Sequence, residues 1–232
     1  MILIRNEKLK RILRVTVPLV LIPGVIALGA LVFDEKRYAF ITVATALLSM
    51  VLFYAGIEKR TIGTRRMVII AVMTALSVIG RFIFSLIPAF KPISAMVIIT
   101  AVWLGPESGF LTGSLSALIS NFYFGQGPWT PFQMFAWGLI GLLAGYLADP
   151  LKRSRVWLAI YGAVGGILFS AILDVWTVLW YQDEFSLPLY LAALATALPH
   201  TVTYAVSNVI FLLTLGRPFG EKLERVKIKY GI

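Results

Sequence analysis

The stretch SGFLTGSLSALISNFYFGQGPWTPFQMFAWGLIGLLAGYLA, from Ser108 to Ala148, contains no Asp, Glu, Lys or Arg. A helix needs about 20 apolar residues to cross the roughly 30 Å hydrocarbon core of a bilayer. This stretch is long enough for two crossings, with a connection near its middle where two glycines are followed by two prolines (Gly125, Gly127, Pro128 and Pro131). It therefore predicts an all-α integral membrane protein.

The composition of the whole chain supports the same fold class. Of its 232 residues, 59% are hydrophobic and 14% are charged, and a second uncharged run extends from Phe185 to Gly216. Soluble domains are usually about 45–50% apolar and about 25% charged. No soluble core could bury this excess of apolar surface, so we expect lipid to surround much of the chain.

Eight apolar segments can be drawn along the sequence. The fourth covers only about 18 Å as a helix, so it must be tilted, shielded by its neighbours or partly irregular. The segments are Val15–Phe33, Tyr38–Ile57, Met67–Pro88, Ile93–Leu104, Ser108–Phe124, Pro131–Ala148, Val156–Tyr181 and Leu187–Leu215.

The basic residues predict the orientation of these segments. If both termini are cytoplasmic, seventeen of the 21 Lys and Arg residues fall in cytoplasmic connections or ends, and three fall outside. Such a bias is typical of membrane topology, and it argues against nucleic-acid binding as the reason for the net charge of +10. The basic stretch Glu58–Arg66 also divides the chain into a leading helix pair (1–63) and a six-helix part with a basic cytoplasmic tail (64–232).

Several classes of activity lack their sequence motifs. There is no cysteine and only one histidine, which excludes thiolate chemistry and paired-histidine metal sites. No G-x-x-x-x-G-K-[S/T] or G-x-S-x-G motif is present, so the chain cannot hydrolyse ATP by a P-loop or act through a nucleophile elbow. We expect it to be neither an enzyme nor the holder of a cofactor or metal of its own.

Small residues recur at four-residue spacing, which lets helix backbones approach closely in lipid. The fifth segment has Gly105, Gly109, Gly113 and Ala117, and the sixth has Gly141 and Gly145; both predict packing within one bundle. The third segment has Ala71 and Ala75 in its cytoplasmic half, where another subunit could dock.

Two ionisable residues fall inside predicted spans at matched depth. Arg81 precedes Pro88 by seven residues and Asp174 precedes Tyr181 by seven, so both lie about 10 Å below the outer surface. Either they form an ion pair that fixes the helices, or they contact a ligand. On the last segment, His200, with Tyr204 and Asn208 on the same face, could line a cavity or bond to a neighbouring helix.

The outer connections are rich in aromatic and amide side chains. Asn121–Met134 carries five aromatic residues together with Gln126 and Gln133, and the connection after Asp174 carries Trp176, Trp180 and Tyr181. An interfacial aromatic belt accounts for the rings but less well for the amides and glycines. The pattern favours a pocket for a sizeable, ring-bearing solute.

With these features, residues 64–216 resemble the substrate-binding S components of energy-coupling factor (ECF) vitamin importers. The shared features are six helices with both ends inside, an A-x-x-x-A pair in the first, a short second helix, and ligand loops after the first, third and fifth. The stretch Phe124–Met134, followed by Phe135-Ala-Trp-Gly138, is most similar to cobalamin-type members. The leading helix pair departs from the six-helix plan.

The resemblance implies a substrate-specificity subunit in a prokaryotic cell membrane. Such a subunit binds a vitamin, here expected to be cobalamin, and delivers it inward with a membrane coupling subunit, met by Ala71 and Ala75, and two ATPases. The expected substrate contacts are Arg81, Phe124, Gln126, Trp129, Gln133, Trp137, Asp174, Trp180, Tyr181 and His200. The alternatives are another ligand, such as a queuosine precursor or a flavin, and a membrane scaffold or embedded enzyme.

Overall fold

Helices account for all the regular structure in a computed structural model that describes residues 6–32, 38–55, 60–182 and 185–231; no strand occurs in these ranges. A five-residue π-helical turn, Val17–Leu21, joins the first two helices into one continuous helix. The helices are α1 (Glu7–Thr16), α2 (Ile22–Val32), α3 (Tyr38–Ala55), α4 (Arg60–Ile83), α5 (Ile93–Leu104), α6 (Pro106–Phe124), α7 (Trp129–Tyr146), α8 (Ala148–Arg153), α9 (Arg155–Gln182) and α10 (Leu187–Tyr230).

Local sequence explains several helix boundaries. The side chain of Asn6 accepts hydrogen bonds from the amides of Lys8 and Leu9 and so caps α1. Gly105 has φ +95°, which side-chain-bearing residues rarely adopt, and it separates α5 from α6. Pro106 then occupies the first turn of α6, where its missing N–H costs nothing.

Within the described residues, each predicted apolar segment overlaps a helix, but several boundaries differ. The third segment was predicted to extend to Pro88, whereas α4 ends at Ile83. The connection predicted over Asn121–Met134 is mostly helical, with only Gly125–Pro128 outside α6 and α7. The basic tail is also helical, since α10 continues to Tyr230 through Pro199 and Pro218. There Gly220 lies against Trp103, so the tail packs on the end of α5.

Four helices in the described ranges are long and apolar enough to cross a membrane. They lie at Glu7–Gly29, Thr64–Ile83, Arg155–Leu179 and Leu187–Tyr230. These helices bear out a helical membrane protein, whereas the eight crossings and the cytoplasmic location of both termini stay predictions.

The short α5 lies at the centre of the bundle. Every one of its residues is buried except Trp103, which is half-buried. With about 18 Å of length it could not cross a bilayer in contact with lipid on its own. The surrounding helices shield it instead, which is one of the three arrangements that the sequence allowed.

The glycines of α6 and α7 bring these two helices into backbone contact, as their spacing predicts. A Cβ atom added at Gly113 would lie 2.5 Å from the carbonyl carbon of Trp137, and one added at Gly141 would lie 2.6 Å from that of Gly109. Such distances leave no room for a side chain. The small-residue stripe therefore packs within this chain rather than against a partner.

The leading helices pack on the same bundle. Arg14 of α1 forms an ion pair of 2.5 Å with Glu107, whose side chain is 4% exposed at the start of α6. Ser49 of α3 donates a hydrogen bond of 3.2 Å to Ser114 of α6. An apolar cluster joins the two parts through Val17, Ile22, Ile26, Ile41, Leu52, Phe110, Phe132 and Leu142.

Hydrogen bonds between helices define two ends of the bundle. Arg66 at the start of α4 donates to the carbonyl of Leu104 at the end of α5, and we call this end, with the basic residues of α8 and the α10 tail, the basic end. Arg81 near the end of α4 donates to Asn121 near the end of α6, and we call this end the aromatic end.

Replacement of Gly141 with valine tests the close contact of α6 and α7. We expect Gly141→Val to lower the free energy of unfolding by about 1–3 kcal/mol, because the added side chain must push the two backbones apart. The measurement is thermal unfolding of the purified protein in detergent. Gly24→Val is the matched control, since nothing lies within 4 Å of the Cβ position there. Equal melting temperatures for the two variants would contradict the contact.

Candidate functional site

Arg81 is the charged group at the centre of the aromatic end. It is 7% exposed, and its guanidinium donates to the hydroxyl of Ser120 and, at 2.9 Å, to the side-chain oxygen of Asn121. The guanidinium carbon also lies 4.5 Å from the centre of the Phe124 ring and 5.4 Å from that of Trp137. Neutral dipoles and ring faces therefore surround this cation.

Two amides from the predicted outer connection belong to the same hydrogen-bond network. Asn121 donates to the hydroxyl of Thr130 at 3.0 Å and to the side-chain oxygen of Gln133 at 2.8 Å. Gln126 accepts from Thr130 at 3.0 Å and donates to the carbonyl of Leu118 at 2.8 Å. These bonds fix the end of α6 to the start of α7 and hold both glutamines in place.

Trp137 lies deeper, beneath Arg81. Its indole N–H lies 2.7 Å from the hydroxyl of Tyr204 and 3.1 Å from that of Ser94, and its ring stacks on Phe169 with centroids 4.7 Å apart. Only 2% of Trp137 is exposed. Trp137 thus forms the floor of the site and links α7 to α5, α9 and α10.

The ion pair between Arg81 and Asp174 does not form. Asp174 is 8% exposed, and its Oδ2 atom has no hydrogen-bond partner within the described part of the chain. Their matched depth stays a prediction, and equal depth along two helices does not fix the direction of either side chain around the bundle. The end of α6 and Trp137 of α7 supply the groups around Arg81, while Asp174 lies on α9.

Other predicted contacts lie nearer the surface of the aromatic end. Trp129 is half-buried, with its ring centre 6.4 Å from that of Trp176. Tyr181 is 73% exposed, and His200 is exposed beside Tyr204. The side chain of Trp180 lies outside the described residues.

Lys91, in the connection between α4 and α5, adds a second positive charge near the aromatic end. Its backbone amide and carbonyl both bond to Ser207 of α10, at 2.8 and 3.2 Å. Burial lowers the pKa of Lys91, and the nearby Arg81 guanidinium lowers it further. Arg81 and Lys91 therefore create a positive potential where a polar or anionic ligand group would be stabilised.

Sequence reasoning missed the hydroxyl partners of the site. Ser94, Ser120 and Thr130 are fully buried and hold Trp137, Arg81 and Asn121 respectively. The available signal was their occurrence within uncharged, apolar stretches of sequence, where a hydroxyl must find a partner inside the protein. Their neighbours in space come from other helices and could not be read along the chain.

Ala71 and Ala75 lie on the outside of the bundle. Both are exposed, on an apolar face of α4 that also presents Val68, Val72, Leu76 and Ile79. This placement leaves the face open to lipid or to another protein. Docking of a coupling subunit here stays a prediction.

The geometry is suited to binding rather than to covalent chemistry. A hydrogen-bonded guanidinium, two fixed amides and several ring faces can orient a polar, ring-bearing solute. No group of three His, Asp or Glu side chains within the described ranges is arranged to hold a metal ion.

Comparison with protein families agrees with this binding arrangement. The family described as ECF transporter, substrate-specific component, matches residues 65–228, which include α4 from Arg65 and all the helices after it except the end of α10. This chain belongs to that family. Its members are transport-specificity subunits that work with a coupling subunit and ATPases and are not themselves catalytic.

Relatives in two bacterial species are similar over most of their length. A UPF0397 protein of Aliivibrio salmonicida is 24% identical over 162 residues, covering 67% of this chain and 87% of the relative. UPF0397 proteins of two Aliivibrio fischeri strains, MJ11 and ATCC 700601 / ES114, are each 29% identical over 144 residues, covering 54% of this chain and 76% of the relative. No solved structure matches the chain.

Proposed function

We propose that this S component captures a vitamin at its aromatic end and delivers it across the cell membrane with a membrane coupling subunit and two ATPases. The observation that carries the proposal is the family match over residues 65–228. It accounts for the lack of a P-loop motif in the sequence, because the energy of ATP hydrolysis would come from other subunits.

The proposed orientation places the basic end in the cytoplasm and the aromatic end outside. The charge distribution supports this orientation, since most Lys and Arg residues lie in the termini and connections at the basic end. A ligand that arrives from outside then meets Trp129 and Tyr181 before it reaches the deeper Arg81. The two nearer rings would stack on the ligand, and the guanidinium would bond to a polar group on it.

Cobalamin is the first candidate ligand. The reason is that the stretch Phe124–Met134 is similar to cobalamin-type members of the family. Its amides and rings suit a large macrocycle that carries many amide groups. A flavin or a queuosine precursor would use the same rings and hydrogen-bond donors over a smaller area.

Docking of the coupling subunit is proposed at Ala71 and Ala75. The exposed apolar face of α4 supports this position, because two small residues one turn apart allow a partner helix to approach its backbone closely. The site and the docking face occupy different parts of α4, so each can be changed without the other.

A binding measurement tests the ligand site. We expect the purified chain to bind cyanocobalamin with a dissociation constant below about 1 μM, and Trp129→Ala to weaken binding at least about tenfold, which is about 1.4 kcal/mol. Isothermal titration calorimetry in detergent provides both values. Trp157→Ala is the matched control, since Trp157 is 57% exposed near the start of α9 at the opposite end.

Cobalamin is the wrong ligand if no binding is detected up to about 50 μM. A dissociation constant of about 50 μM corresponds to a binding free energy of only about 6 kcal/mol. Riboflavin and a queuosine precursor are then titrated in the same way. Equal losses in Trp129→Ala and Trp157→Ala would place the site elsewhere, whichever ligand binds.

Replacement of Ala71 with tryptophan tests the docking face. We expect Ala71→Trp to abolish vitamin uptake into cells that contain the coupling machinery while leaving binding by the purified protein unchanged, because the ring blocks close approach of the partner. Val164→Trp, at an exposed position on α9, is the control and retains uptake. Uptake at the unmodified rate in Ala71→Trp would show that the partner docks on another face.

A further inference from the structure

A cavity with basic side chains in its lining lies at the basic end of the bundle, away from the proposed vitamin site. It has a volume of about 220 Å³ and lies between the start of α4, the end of α5, the end of α8 and the tail of α10. Its charged lining consists of Arg66, Lys152 and Lys227, and Trp103 and the backbone at Leu104 complete it. We propose that this cavity binds the phosphate headgroup of an anionic phospholipid.

The cavity brings three positive charges together from three parts of the chain. Arg66 donates to the carbonyl of Leu104, which fixes its guanidinium at the wall. The ammonium of Lys152 lies 5.7 Å from the centre of the Trp103 ring, and Lys227 reaches the cavity from the tail of α10. An anion that enters the cavity is attracted by the ammonium groups of Lys152 and Lys227.

The nearby carboxylate does not fill this role. Glu107 lies beside Gly105 at the edge of the cavity. Its Oε1 atom accepts a hydrogen bond of 2.5 Å from Arg14, and the two residues form an ion pair. Its charge is therefore offset by a cation outside the cavity. Among the described residues that line the cavity, none is acidic.

The size and depth of the cavity favour a lipid headgroup. A water molecule occupies about 30 Å³ of liquid, so 220 Å³ holds a phosphate together with part of a glycerol. Arg66 lies two residues after the start of the apolar span of α4, and Leu104 ends the apolar α5. The cavity thus lies at the level where apolar helix gives way to polar chain, which is where phospholipid phosphates lie.

The cavity and the proposed docking face lie on different sides of α4. Arg66 and Ala71 are five residues apart on α4, which places them about 140° apart around the helix axis. A coupling subunit docked on Ala71 would therefore not cover Arg66. Half-buried Trp103 also fits a lipid surrounding, since tryptophan is favoured at membrane interfaces.

Native mass spectrometry of the purified full-length chain tests the proposal. The chain is titrated with dioleoylphosphatidylglycerol and, separately, with dioleoylphosphatidylcholine. We expect one phosphatidylglycerol molecule to bind at least about tenfold more tightly than phosphatidylcholine. The double variant Lys152→Gln/Lys227→Gln is expected to lose this preference.

The matched control is Lys222→Gln/Arg225→Gln. It removes the same charge from exposed positions on the tail of α10 that do not line the cavity, so it is expected to keep the preference. Equal affinity for the two lipids, or an equal loss in both double variants, would overturn the proposal. Displacement of phosphatidylglycerol by equimolar inorganic phosphate would also overturn it, because the cavity would then select free phosphate rather than a lipid.

Discussion

The backbones of α6 and α7 touch where Gly109 faces Gly141, and the position of the other helices depends on this contact. In lipid, burying large apolar side chains gains little over leaving them in contact with acyl chains, so close backbone approach supplies much of the packing. The contact places Trp137 beneath the end of α4, where it forms the floor of the site. It also allows the other helices to enclose α5. A helix this short needs such shielding, because otherwise the unpaired backbone groups at its ends would be exposed to lipid.

At the aromatic end, the buried Arg81 guanidinium has no carboxylate partner among the described residues. Charged groups inside a membrane protein are costly and are usually paired or functional. Arg81 bonds only to neutral groups among the described residues, and its Nε atom has no hydrogen-bond partner there. Lys91 lies close enough for the two charges to repel. A buried cation without an ion pair among the described residues suits the proposed binding site, where contact with a polar ligand group would offset the cost of burying the charge.

Sequence predicted much of the fold because hydrophobic length and charge bias are properties of the chain itself. The bounds of α5 were predicted to the residue, and the glycine stripe of α6 was assigned correctly to internal packing. Two alternatives were left open for Arg81 and Asp174, an ion pair or contact with a ligand, and the structure does not show the ion pair. Residue spacing could not decide this, because it gives depth along a helix but not the direction in which a helix faces its neighbours. For the same reason the hydroxyl partner of Arg81, Ser120, was missed. The helical tail of α10 was also missed, since its contact with Trp103 stabilises a segment that composition alone describes as a basic tail.

The central claim is that this chain supplies specificity to an importer whose energy comes from separate ATPases. Affinity purification of the tagged full-length chain, from membranes of its native host in mild detergent, tests this claim most directly. The account predicts recovery of a complex with a membrane coupling subunit and two nucleotide-binding subunits, and with measurable ATP hydrolysis. Recovery of the chain without any nucleotide-binding protein, and without ATPase activity, would contradict it.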